Sequence, residues 1–300
     1  MPPPIWDVHC HFPRNWEHPE QTDYAQAIDE RADALRAAGV VKASLLCGGR
    51  IGPTLAGPGH EQSLEYARRH EDLFIPSALV DPEEVSGREV RRLHDLGYRG
   101  LKMIGVRRPY DDYKYFGVYQ VAEELDMPVL LHMGVIGGGV DYSITHPRRD
   151  PRAVEAMQRM AAMGRMQGRD VSAMRMRPFH MDTIANNFPA LRLIGAHMGG
   201  TGNYDEAASV TRWRHNVYLD LSGGETIERH AVERRLLGHE IGVEKITWGS
   251  DCGDDEIAQH VVNLERIFEQ VGLSEEERHR IRYANAAEIF GFEQPALAGE

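Results

Sequence analysis

Ile5-Trp6-Asp7-Val8-His9-Cys10-His11-Phe12-Pro13 lies at the start of the chain, and its reading decides the rest. Ile5 to Val8 is a short apolar strand interrupted by one acid. Side chains alternate between the faces of a strand, so His9 and His11 share a face and Cys10 points away. Two imidazoles so placed suit one metal ion. Phe12-Pro13 starts a loop, which sets the pair at the strand's C-terminal end. The pattern to look for downstream is therefore a polar group that closes a buried strand.

The pattern recurs. After Ile5–Val8, strands are expected at Val41–Leu46, Leu73–Leu79, Gly100–Ile104, Val129–His132, Leu191–Ala196, Val217–Asp220 and Lys245–Trp248. Between them lie helical patterns at Thr22–Ala38, His60–His70, Val85–Leu96, Tyr113–Leu125, Asp205–Arg214, Thr226–Leu237 and Asp255–Val271. Ser274–Tyr283 and Ala286–Phe290 close the chain. Short Val-, Ile- and Leu-rich strands alternating with helices read as a parallel sheet covered on both faces. Eight such units predict one α/β domain over residues 1–300, a (β/α)8 TIM barrel. An open doubly wound sheet is the competing fold, but no Gly-x-Gly-x-x-Gly follows the first strand. Gly137-Gly138-Gly139 has no Lys-Ser/Thr after it and reads as a loop.

One stretch is too long for a loop and a helix. Residues 137–179 are expected to form a helical insertion or lid after the fifth strand, on the face where barrel active sites lie. Met157, Met160, Met163 and Met166 recur there every three residues, on a helix that Asp150 could cap and Pro151 could open. Eight arginines stand between Arg148 and Arg177 against Asp150, Glu155 and Asp170. A Met-packed helix with solvated arginines accounts for this. A lid, or a contact between copies in a homo-oligomer, accounts for it too.

Composition bounds the partners. An apolar share of 42% can fill a barrel core, and 34 Lys and Arg against 46 Asp and Glu leave a net charge of −12. That charge disfavours nucleic acid and anionic membranes. No apolar run reaches transmembrane length. The early His pair leaves no room for a signal peptide. Cys10, Cys47 and Cys252 show no Cys-x-x-Cys spacing, which fits free thiols and a cytoplasmic location.

Polar groups close at least five of the expected strands: His9 and His11, Lys102, His132, His197 and Asp251. A barrel gathers strand C-termini into one ring, so these residues converge. Four His and one Asp at strand ends point to a metal centre. That donor set suits Zn2+ best, with Mn2+, Fe2+ and Co2+ also compatible. Most other histidines read as surface residues. His180 is set apart, because it ends the insertion.

Asp7-Val-His9-Cys-His11, Leu130-Leu131-His132, Gly195-Ala196-His197-Met198-Gly199-Gly200, Trp248-Gly249-Ser250-Asp251 and Asn285-Ala286-Ala287-Glu288-Ile289-Phe290-Gly291 together resemble the amidohydrolase superfamily. More narrowly, they resemble the amidohydrolase-related branch that contains aminocarboxymuconate-semialdehyde decarboxylase. The likeness runs from Ile5 to Gly291. It implies that His9, His11, His132 and Asp251 bind one divalent metal. His197 would be the catalytic histidine, and Asp251 would also accept a proton. A binuclear site, with carboxylated Lys102 as the bridge, is the alternative that other amidohydrolases suggest. Otherwise Lys102 would bind a substrate carboxylate as a point charge.

Two reactions suit these ligands. One is hydrolysis of a small anionic ester, lactone or amide by a metal-activated water. The other is non-oxidative decarboxylation of an aromatic or unsaturated acid. Some decarboxylases of the branch begin with Glu-x-His, so the Asp-x-His-x-His form tilts the expectation toward hydrolysis. A non-catalytic metal-binding protein is the third reading. Arg107, Arg177 and His180, with Lys102, are the expected contacts to a small anionic substrate, since an arginine fork grips a carboxylate. Arg50 and Arg108 read as surface charges.

Overall fold

β1 (Ile5–His11) is buried along its length except at its last residue. It leads a parallel sheet with β2 (Val40–Cys47), β3 (Phe74–Leu79), β4 (Gly100–Met103), β5 (Val129–Leu131), β6 (Leu193–Gly195), β7 (Val217–Asp220) and β8 (Ile246–Thr247). This is a computed structural model, which describes residues 3–13, 21–48, 50–51, 54–55, 58–136, 155 and 172–293. Each strand pairs in parallel with the next, through registers such as Asp7 with Ala43, Lys102 with Leu130 and Ile194 with Tyr218. The ring closes between first and last strands. Val8 N–H donates to Trp248 O at 3.0 Å, and Asp251 N–H donates to His9 O at 3.0 Å. The result is a TIM barrel, with all eight expected strands in place.

A helix follows each strand: α1 (Tyr24–Ala37), α2 (His60–Ala67), α3 (Gly87–Leu96), α4 (Phe116–Glu124), α5 (Phe179–Asn187), α6 (Tyr204–Trp213), α7 (Glu225–Glu233) and α8 (Ile257–Val271). Their faces explain their positions. In α1, Ile28, Ala32 and Leu35 are buried at helical spacing, and Asp23 caps the start by accepting from the N–H groups of Ala25 and Gln26.

Three details differ from the expectation. α5 begins at Phe179, where the insertion was expected to end. A two-stranded antiparallel ladder, Arg50–Ile51 with Thr54–Leu55, follows β2. The last two helices are one continuous helical run from Glu275 to Phe290, with a π-helical segment at Arg280–Ala284. Ser274 and Glu277 form a capping box at its start. This run lies under the barrel: Trp6 packs on Tyr283 at 5.5 Å and on Phe290 at 5.6 Å between ring centroids. The Met stripe, Asp150 and the triple glycine of the expected insertion lie outside the described residues. No helix among the described residues is long and apolar enough to cross a membrane.

Candidate metal centre

His9 and His11 leave the end of β1 on one side, as the alternation required, with ring centroids 5.1 Å apart. Asp251 reaches them from the loop after β8. Its Oδ1 lies 3.0 Å from His11 Nε2 and 3.6 Å from His9 Nε2. One donor atom from each of His9, His11 and Asp251 falls within 4.8 Å of the others, so the three could hold one ion. This is borderline-hard N,O chemistry that suits a divalent transition metal. His132 does not join that group at the same spacing. Its Nδ1 sits 3.2 Å from His197 Nε2, and its Nε2 lies 3.3 Å from Val135 O. His197 Nε2 is 3.9 Å from Asp251 Oδ2.

The closeness of β1 and β8 depends on local backbone chemistry. Asp7 Oδ1 accepts from the N–H groups of His9 at 2.9 Å and Ser250 at 3.0 Å, pinning the two strand ends together. Gly249 lets them touch: a Cβ there would stand 2.5 Å from His9 Cβ. Beyond it the backbone is strained. Asp251 has φ 45°, and His197 and Met198 have φ 59° and 50°, in the left-handed region that non-glycine residues seldom occupy. Such conformations cost of order 1–3 kcal/mol each and collect at functional sites.

Electrostatics favours ligand-ready forms. Burial alone pushes the Asp251 carboxyl up, but the charge of His9 and the hydrogen bond and charge of His11 hold it well below the carboxylate range. Burial, then the nearby His197 and Lys102, push His132 well below the usual imidazole value. Burial lowers His197 as well, against the raising effects of Asp251 and Asp220. A neutral His132 and an ionised Asp251 are states a metal requires of such ligands. The residues present therefore fit a divalent ion.

The other expected residues divide. Lys102 is buried inside the barrel with Nζ 3.2 Å from His9 Nε2, so it belongs to this cluster. Arg107 is half exposed and its guanidinium lies 3.3 Å from both Asp81 and Glu84. Arg177 pairs with Glu206. His180 Nδ1 lies 2.8 Å from Asp111, and its Nε2 contacts Met174 O at 3.0 Å. Each of these three is engaged with an acid of its own rather than with the histidines.

Two residues were not foreseen. Asp220 ends β7, and its Oδ2 is 2.8 Å from His9 Nδ1. Ser222 follows it and touches both His9 and His197. Val217-Tyr218-Leu219-Asp220 carried the same signal as the other strands, a polar group closing an apolar run, and could have been read so.

Comparison with known proteins extends this picture. A family model described as amidohydrolase matches residues 6–292. No curated protein matches the chain. Among solved structures, the chain is similar to an uncharacterized TIM-barrel protein from Bordetella bronchiseptica, with TM-score 0.64 and 15% identity, covering 96% of this chain and 98% of that one. It is similar to 2,6-dihydroxybenzoate decarboxylase from Rhizobium, with TM-score 0.58 and 19% identity, covering 96% and 98%. It is also similar to 5-carboxyvanillate decarboxylase from Novosphingobium aromaticivorans, complexed with manganese and 4-hydroxy-3-methoxy-5-nitrobenzoic acid. There the TM-score is 0.58 and the identity 15%, covering 97% and 96%.

Proposed function

This chain belongs to the amidohydrolase family, and we propose that it is a metal-dependent carboxy-lyase acting on a small aromatic or unsaturated carboxylic acid. The observation that carries the reading is the cluster His9, His11 and Asp251 with His197 beside it. Two decarboxylases among its structural neighbours support decarboxylation over hydrolysis, which reverses the ranking expected from Asp7-x-His9-x-His11. Hydrolysis of an ester, lactone or amide is the second reading, and that motif is what favours it.

On this reading His9, His11, His132 and Asp251 hold one divalent ion. Manganese in a neighbour makes Mn2+ a candidate beside Zn2+. A bound ion would supply a Lewis acid that fixes an oxygen of the substrate and draws charge from it. His132 must turn from Val135 to take part. Lys102 adds a fixed positive charge beside His9, suited to a substrate carboxylate, or else bridges two ions in the binuclear alternative. Arg107, Arg177 and His180 would reach substrate only by leaving their present acids.

The chain's own groups define where the proton goes. Decarboxylation adds a proton to the carbon that bears the carboxylate, breaks that C–C bond and releases CO2. Asp251 is held ionised and His197 neutral, so neither brings a proton of its own. A hydroxyl of the substrate is the source that fits. It gives its proton to Asp251 Oδ2 or His197 Nε2, and the same atom returns it to carbon. The protein is proposed to work in the cytoplasm, with any homo-oligomer formed through residues 137–179.

The test is a panel. Protein reconstituted with Mn2+ or Zn2+ is assayed on hydroxybenzoates, lactones and esters, with CO2 and acid release scored separately. CO2 release from a hydroxylated aromatic acid is expected. Acid release without CO2 would establish hydrolysis, and no metal-dependent turnover would leave a binding protein.

A further inference from the structure

Beneath the candidate ligands lies a polar cluster that the proposed reaction does not use directly. Asp220 is fully buried, and both of its oxygens are engaged. Oδ2 lies 2.8 Å from His9 Nδ1. Oδ1 accepts from His197 N–H at 2.8 Å, from Ser222 N–H at 3.1 Å and from Ser222 Oγ at 2.6 Å. Ser222 Oγ in turn stands 2.8 Å from His197 Nδ1 and 3.1 Å from His9 Nδ1.

We propose that Asp220 and Ser222 are positioning residues, which lock His9 and His197 in the Nδ1–H tautomer and so present both Nε2 lone pairs to the barrel mouth. The ligand role of His9 and the proton role of His197 rest on the function proposed above; the tautomer assignment does not.

The assignment follows from counting protons. A carboxylate only accepts, so the Ser222 hydroxyl hydrogen goes to Asp220 Oδ1. The Ser222 lone pairs are then left to accept, and His197 Nδ1–H is the donor at 2.8 Å. A neutral imidazole has one N–H, so His197 Nε2 is bare. It faces His132 Nδ1 at 3.2 Å. For His9, the Lys102 ammonium near Nε2 is a donor without acceptor capacity, so Nε2 accepts and Nδ1–H donates to Asp220. One carboxylate thereby sets two rings, one of them through a serine. Outer partners of this kind orient a ligating histidine and raise its basicity.

A second ion in place of the hydrogen bonds does not fit as well. Donor atoms of His9, His197 and Asp220 also lie within 4.8 Å of one another. Ser222 Oγ, however, sits within 3.1 Å of all three residues and takes the position an ion would need. Gly223 keeps that loop close, since a Cβ there would stand 3.0 Å from His197 Nδ1.

The experiment uses the full chain with 15N-labelled histidine. Long-range 1H–15N spectra of metal-free protein report each tautomer, and chelator competition reports Zn2+ affinity. The expected wild-type result is Nδ1–H on both His9 and His197. Ser222→Ala should release His197 from that form and leave His9 in it, with Zn2+ affinity within about threefold of wild type; Ser222→Thr should restore His197. Asp220→Asn should disturb both rings and weaken Zn2+ binding about 10–100-fold, the usual effect of losing such a partner. His197 still in the Nδ1–H form in Ser222→Ala would overturn the proposal. So would both rings keeping the Nδ1–H form in folded Asp220→Asn. Should Asp220→Asn fail to fold, the Ser222 pair decides alone. No readout depends on turnover, so the proposed reaction can fail while this stands, and the reverse.

Discussion

At the scale of single residues, the ligand set makes the most direct predictions. His9→Ala and Asp251→Ala each remove a donor from the three-atom cluster, so metal content and activity should fall together. Elemental analysis of the purified variants checks this, and full occupancy in His9→Ala would refute the ligand set. His197 is expected to behave differently. It stands next to Asp251 and His132 but outside the His9–His11–Asp251 group, so His197→Ala should keep the metal and lose about 10²–10⁴-fold in kcat, the size of a general acid–base contribution. Metal content and kcat measured on one preparation separate the two roles. Most of this site was legible in the sequence, because a His or Asp that ends an apolar run has few structural reasons to be there. Asp220 ends its strand in the same way and carried the same signal, whereas Ser222 has no signature. Their roles come from contacts between strands, such as Ser222 with His9, 213 positions apart, which no local pattern encodes.

At the scale of elements, the join between β1 and β8 is the sensitive feature. Gly249→Ala would put a methyl group 2.5 Å from His9 Cβ. Overpacking of this kind typically costs about 1–3 kcal/mol, and here it should also weaken metal binding, because the displaced residue is a proposed ligand. Urea titration and chelator competition measure the two effects. The start of α2 gives a pH prediction. His60 Nε2 contacts Leu79 O at 3.0 Å, and burial lowers its pKa below 6.5. The unfolded chain then takes up the proton more readily than the folded one. The stabilising contribution is complete above the unfolded value and is lost as pH falls from there through the lower folded value. Metal-free protein should therefore lose stability between about pH 7.5 and about pH 5.5, and His60→Gln should lose less. His132 and His197 act in the same direction, so a slope unchanged by His60→Gln would exclude His60 as a contributor. Strands were located to within about two residues, since their apolar runs are bounded sharply by turns; β1 is the exception and runs three residues past Val8. Helix ends were poorer: Tyr113–Tyr115 is a 3-10 turn held by Asp112, and α5 starts at Pro178-Phe179 inside a stretch read as insertion.

At the scale of the molecule, the site straddles the closure of the barrel. An ion shared by His9, His11 and Asp251 would tie the first strand to the loop after the last. Anything that binds only the folded state stabilises it by mass action, about 2.7 kcal/mol at a hundredfold excess over Kd. Scanning calorimetry with Mn2+ or Zn2+, against chelator, should show a melting temperature higher by a few degrees with metal. An unchanged value would mean that the ion does not bridge the closure. The net charge of −12 favours cation entry and works against nucleic acid as a partner.

The same closure sets an order in time. Asp7 and Ser250, which hold the two strands in register, are 243 positions apart. A ribosome makes His9 and His11 well before Asp251. A nascent chain therefore carries two imidazoles with no carboxylate to complete them. Contacts of such separation also form late when the finished chain folds. On the proposed ligand set, tight metal uptake would wait until synthesis has passed β8, and a retained ion would mark a polypeptide that has been both translated past that point and closed.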